Sequence, residues 1–133
     1  MDIFQWLGGR IKSVSGTFTQ RINNLEADDT IGIYATSLFK DNCVIVSGDK
    51  DFRTIPAWQV CIIDDQIEYV DENKADYNFC TQTLTGDQTD GYKGCVGVGA
   101  VKASRVLNDK PTIRECWEAV LQEYYRNKCH NIL

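Results

Sequence analysis

Three features of these 133 residues point to an α/β domain, a parallel sheet flanked by helices. A continuous apolar run, Cys43-Val44-Ile45-Val46, reads as a strand buried on both faces. Helix-spaced apolar residues bracket it: Ala27, Ile31, Tyr34, Ala35 and Leu38 before, then Ile113, Trp117, Val120, Leu121 and Tyr124 after. The run passes straight into Gly48-Asp49-Lys50-Asp51, which sets acids at the carboxyl end of a strand. That edge is where open α/β sheets bind ligands.

Each element follows from its local chemistry. Residues 3–13 predict a short helix with Phe4, Trp6, Leu7 and Ile11 inward, and Thr17 to Ile22 alternates like a strand. Glu26 opens a helix to about Phe39, with Glu26, Asp28 and Asp29 at the positive end of its dipole. Trp58–Ile63 and Gln66–Val70 form a hairpin whose turn is Asp64-Asp65. Lys74 to Leu84 is helical, Gly86 to Gly99 is a glycine-rich loop, and Ala100 to Leu107 is a helix. Thr112-Ile113-Arg114-Glu115 is a capping box that starts the last helix.

Length allows one domain, and charged (25%) and hydrophobic (43%) shares are those of an ordinary globular protein. No apolar run is long enough to span a membrane, and the start at Met1-Asp2-Ile3-Phe4 lacks the pattern of a signal peptide. Six cysteines occur without a CxxC pair, and His130 is the one histidine, which argues against zinc. Several cysteines lie in apolar runs, so they are read as reduced thiols in a cytosolic protein.

Seven carboxylates fall in three short clusters: Glu26, Asp28 and Asp29; Asp49 and Asp51; Asp87 and Asp90. Like charges brought together destabilise a fold unless a cation relieves them. Magnesium takes oxygen ligands and shares its shell with phosphate, so a magnesium-dependent phosphodiesterase is the first expectation. The net charge of −5 fits this reading once it is divided. Outside the seven clustered acids, 12 acids face 14 basic residues, a balance of +2. Residues 91–133 carry seven basic side chains and four acids. Such a surface could face phosphates, although composition alone favours a solvated charged face.

Gly94-Cys95-Val96-Gly97-Val98-Gly99 leads into a helix bearing Lys102 and Arg105. Glycines let a backbone approach a ligand, amides at a helix start bind anions, and the two basic residues share one helix face. A tight turn between helices is the alternative. A dinucleotide fingerprint is disfavoured, because no strand precedes the glycines and Lys102 replaces the third one.

The order of these motifs resembles the 5′-nuclease superfamily, which includes flap endonucleases and the 5′-exonuclease domain of bacterial DNA polymerase I. Within it the likeness is to the 5′→3′ exonucleases of short-tailed phages. It is carried by Leu25-Glu26-Ala27-Asp28-Asp29, by Val44 to Pro56 around Gly48-Asp49-Lys50-Asp51, and by Leu84-Thr85-Gly86-Asp87-Gln88-Thr89-Asp90-Gly91. The resemblance implies an incomplete PIN/5′-nuclease-like parallel sheet flanked by helices, with a helix–three-turn–helix DNA-binding element. Residues 1–85 would be the metal-binding α/β part of one domain. Residues 86–133 would hold the DNA-binding element and the C-terminal helix.

The resemblance also implies roles. Glu26 and Asp28 would help hold a first Mg²⁺ or Mn²⁺. Asp49, Asp51, Asp87 and Asp90 would hold a second, Asp29 would lie between, and Asp49 and Asp51 would be catalytic. Lys93, Gly94, Gly97, Val98, Gly99, Lys102 and Arg105 would grip DNA, with K⁺ at the hairpin carbonyls. The family's first strand and basic arch have no counterpart here, so the first metal site is expected to be incomplete. Three readings result: the C-terminal part of a nuclease that needs an N-terminal half on another chain or self-association, a weak nuclease acting alone, or a non-catalytic DNA- or partner-binding module. The expected location is the cytoplasm, that of the host cell if the chain is phage-encoded.

Overall fold

The computed structural model describes residues 22–127. Among them, four α-helices accompany a three-stranded sheet: α1 (Ala27–Thr36), β1 (Val44–Ser47), β2 (Ala57–Cys61), β3 (Ile67–Val70), α2 (Glu72–Thr85), α3 (Ala100–Leu107) and α4 (Ile113–Arg126). A single 3₁₀ turn, Lys50–Thr54, follows β1. The helix expected over 3–13 and the strand expected over 17–22 lie outside the described residues, except that Ile22 is described and is not in a strand.

The sheet is mixed rather than parallel throughout. β1 pairs parallel with β2, in register Val44 to Trp58, and β2 pairs antiparallel with β3 as the expected hairpin. Asp65 turns the hairpin at φ 59°, a conformation that aspartate tolerates better than most residues. β1 is not buried on both faces as its composition suggested. Val44, Trp58 and Tyr69 form one row across the three strands and are about half exposed, whereas Ile45, Ala57, Gln59 and Val70 on the other face are buried. Alternate side chains of a strand point to opposite faces, so a wholly apolar run can still have one open side.

Behind the buried face sits a small core of Ala35, Ile45, Phe52 and Ala57. α1 reaches it through Ala35, while Ile31 and Leu38 stay exposed, contrary to the inward stripe expected. The helix ends at Thr36, so Leu38 falls in the following turn and leaves the helical face. A larger core joins α2, α3 and α4 through Cys80, Leu84, Val98, Ala103, Leu107, Val120 and Tyr124. α4 starts at the expected capping box, in which Thr112 and Glu115 exchange hydrogen bonds. Cys43, Cys61, Cys80 and Cys116 are free thiols. No helix among the described residues is long and apolar enough to cross a membrane.

Candidate metal centre and nucleic-acid face

Gly48 ends β1, and the chain tightens at once into the 3₁₀ turn. Asp49 caps this turn: its Oδ1 accepts the Asp51 N–H at 2.9 Å. The cap spends the Asp49 carboxylate locally and turns Asp51 toward α2. There Gln82 Nε2 donates to Asp51 Oδ1 at 2.7 Å and fixes its rotamer. Beneath the turn, the buried Gln59 amide donates to the carbonyls of Phe52 (2.6 Å) and Ile55 (2.9 Å). The loop after β1 is thereby tied to the middle strand.

Asp87 and Asp90 arrive from the other side on a closed loop. Asp87 and Tyr92 exchange backbone hydrogen bonds at 2.7 and 2.8 Å, which folds the intervening residues into a tight turn. Gly86 enters the loop at φ 78°, ψ 174°, a region essentially restricted to glycine. Its α-carbon also abuts another stretch of chain: a Cβ there would lie 2.5 Å from Tyr92 O and 2.6 Å from Gly94 N. The Tyr92 and Tyr124 hydroxyls both donate to the Thr83 carbonyl, at 3.1 and 2.8 Å, and anchor the loop to α2 and α4.

One carboxylate oxygen from each of Asp51, Asp87 and Asp90 lies within 4.8 Å of the others. Asp87 is only 4% exposed. Its Oδ1 accepts the Thr89 N–H at 2.8 Å, and its Oδ2 faces Lys50 Nζ at 2.7 Å, an ion pair rather than an aligned hydrogen bond. The Lys50 ammonium and the Thr89 amide hold the Asp87 carboxyl down at about 2. The same contact raises the Lys50 pKa. Burial and the neighbouring Asp49 charge push Asp51 the other way, above the usual carboxylate range, against the opposing hydrogen bond from Gln82. An all-oxygen set, whose buried Asp87 Oδ2 is met by a lysine ammonium, fits a small hard divalent cation that could take the place of that charge.

The expected ligands divide at this point. Asp51, Asp87 and Asp90 are brought together. Asp49 adjoins them, but its Oδ1 is engaged in the cap. Glu26, Asp28 and Asp29 are exposed at the head of α1, where Asp28 Oδ1 accepts the Asp29 N–H, and do not join this group. Gln59, Gln82 and the pairing of Lys50 with Asp87 were not anticipated. Gln59 and Gln82 carry no charge and lie outside the acidic motifs, so nothing in the sequence marked them.

On the face expected to meet nucleic acid, the loop 86–99 leads into α3. Lys93, Gly97 and Gly99 are exposed, Gly94 is half-buried, and Val98 is buried in the helical core. A Cβ on Gly97 or Gly99 would meet nothing within 4 Å, so the backbone there is approachable from solvent. Arg105 is exposed on α3. Lys102 instead places its ammonium 3.0 Å from the buried Glu123 carboxylate. Burial pushes the Glu123 pKa up, but Lys102, Asn127 and Arg126 together outweigh it and hold the carboxyl ionised. Lys102 thus ties α3 to α4, with part of its side chain still facing water.

No protein-family model matches the chain, and no solved structure does. Curated relatives do. An exodeoxyribonuclease of Enterobacteria phage T3 is 42% identical over 105 residues, covering 74% of this chain and 33% of the relative. An exonuclease of Escherichia phage T7 is 40% identical over the same length and shares. A 5′-3′ exonuclease of Halalkalibacterium halodurans is 31% identical over 109 residues, covering 71% of this chain and 36% of the relative. The chain therefore spans about a third of the length of the curated relatives it matches. Over that stretch, the chain matches the 5′-nuclease superfamily of exonucleases and flap endonucleases.

Proposed function

We propose that this chain is the metal-holding and DNA-gripping part of a two-metal 5′→3′ exonuclease or flap endonuclease that hydrolyses DNA phosphodiester bonds. The observation that carries the reading is the gathering of Asp51, Asp87 and Asp90 at the sheet's edge, next to a glycine hairpin and a basic helix. The nuclease names of the phage relatives support it. Magnesium or manganese held there would neutralise charge on the scissile phosphate and activate a water.

The chain's own residues set the stage for that chemistry. Asp51 and Asp49 are the catalytic pair of this reading: Gln82 aims Asp51, and Asp49 shapes the turn that presents it. Asp87 and Asp90 close the cluster. Glu26, Asp28 and Asp29 would serve a first ion, together with ligands from parts of the relatives that the match does not cover. Lys93, the backbone of Gly94, Gly97, Val98 and Gly99, and Lys102 and Arg105 would follow the phosphates of one strand, with K⁺ at the hairpin carbonyls. These contacts position a duplex without reading its sequence. The remainder of the nuclease would come from the same polypeptide, from another chain or through self-association, and the work would be done in the cytoplasm.

The test uses a 5′-labelled flap duplex and Mg²⁺ or Mn²⁺. The expected result is salt-sensitive binding by the chain, with rapid cleavage once a relative's remaining nuclease portion is added. Asp51→Asn plus Asp87→Asn should abolish the cleavage. Cleavage that survives this double substitution overturns the assignment. Binding with no cleavage in any mixture assigns the non-catalytic DNA-binding module instead.

A further inference from the structure

We propose that Lys50 is the ion-selecting residue of the Asp51–Asp87–Asp90 centre, a tethered positive charge that keeps monovalent cations out and gives way only to a divalent one. This rests on the metal-centre reading above. The two members of the Lys50–Asp87 pair are unequal. Asp87 is 4% exposed and fixed by the Thr89 amide and the closed loop. The Lys50 side chain is 65% exposed and projects from a single helical turn. The acid cannot follow if the lysine leaves, whereas the lysine can rotate into water once another cation compensates the buried carboxylate it leaves behind.

While docked, the ammonium already supplies one unit of charge to the buried Asp87 carboxylate. Sodium or potassium brings that same single unit and must displace a competitor that never diffuses away. A small divalent ion brings twice the charge and draws oxygens from Asp51, Asp87 and Asp90 at once. It therefore gains enough from the cluster to release the lysine. The position between Asp49 and Asp51 makes this automatic, because the turn that points Asp51 at the site also brings Lys50 to Asp87.

Calorimetric titration of the chain with MnCl₂ tests the role. Titrations are run in potassium chloride and, at equal ionic strength, in tetramethylammonium chloride, whose cation is too large to enter. Wild type should bind Mn²⁺ equally in both salts. Lys50→Met should bind severalfold tighter in tetramethylammonium, because no tethered ammonium competes for the buried Asp87 carboxylate, and lose part of that gain in potassium. Lys50→Gln should give the same two results. Lys40→Met removes a lysine paired with Glu72 instead, so it controls for net charge and should leave the affinity unchanged. Circular dichroism checks the fold of each variant. Equal or weaker Mn²⁺ binding by both Lys50 variants, no difference between the salts in those variants, or the same gain in Lys40→Met overturns the role of Lys50. A wild-type chain that binds no Mn²⁺ overturns the metal-centre reading itself.

Discussion

Replacing Gly86 with alanine should damage the protein far more than replacing Gly97, although both glycines have positive φ, at 78° and 73°. For Gly97 the new Cβ meets nothing within 4 Å, so the cost is backbone strain of about 1–2 kcal/mol. A less flexible unfolded chain returns about 0.4–1 kcal/mol of it. The net loss is about 1 kcal/mol. At Gly86 the same methyl would lie 2.5 Å from Tyr92 O and 2.6 Å from Gly94 N. Both are backbone atoms and cannot rotate away, so the two crossing strands of chain must separate. That disrupts the paired hydrogen bonds between Asp87 and Tyr92. With this added, the loss reaches about 3 kcal/mol or more, among the larger single-residue effects. Urea denaturation of both variants, with Mn²⁺ titration of the folded protein, measures this. Gly86→Ala should also weaken Mn²⁺ binding, because Asp87 follows Gly86 directly, and Gly97→Ala should not. If the two substitutions cost the same, the crossing contact does not govern the loop and the reasoning fails.

Further outcomes follow from the charges and thiols. Burial and the Asp49 charge disfavour the ionised form of Asp51, so Asp51→Asn should raise the metal-free thermal midpoint while abolishing Mn²⁺ binding; a lowered midpoint would contradict this. Asp87 works in the opposite sense. Its folded pKa of about 2 lies below the unfolded value near 3.9, so its contribution is complete above about pH 4 and fades as pH falls toward 2. The denaturation midpoint of Asp87→Asn should therefore vary less than wild type over that window. Cys80, pushed up to about 12 mainly by burial, should resist iodoacetamide at pH 8 until the chain unfolds, whereas the partly exposed Cys61 should label in the native state, as peptide mass spectrometry would reveal.

Local signals in the sequence were sufficient where one residue type carries the physics. The capping box at Thr112, the hairpin turning at Asp64-Asp65 and the glycines flanking Asp87 were all legible. The grouping of Asp51 with Asp87 and Asp90 was expected from the family resemblance rather than from local chemistry, and with Asp49 in the set. Long-range placement was not legible. Nothing in Val44-Ile45-Val46 says which side of the strand is left open, since both faces are apolar. The period that put Leu38 inward assumed a helix longer than the one that forms. Gln59 and Gln82 act through amides that hold a turn and a carboxylate, and such roles exist only after the strands and α2 have packed. Lys102 looked like a surface cation on a helix face, and its buried partner Glu123 lies 21 positions further along.

The last turn of α2 has a consequence for motion. Within three consecutive residues, Gln82 steadies Asp51, the Thr83 carbonyl receives two tyrosine hydroxyls, and the Leu84 carbonyl receives the Cys95 amide at 2.8 Å. The acidic edge and the glycine hairpin are thus bolted to opposite sides of one rigid spindle. A single-residue insertion upstream in that helix would rotate the spindle by about 100° and unfasten both at once. Under the proposed function, adjustment to a DNA strand would come from side chains such as Lys50 rather than from hinging between the acidic edge and the hairpin.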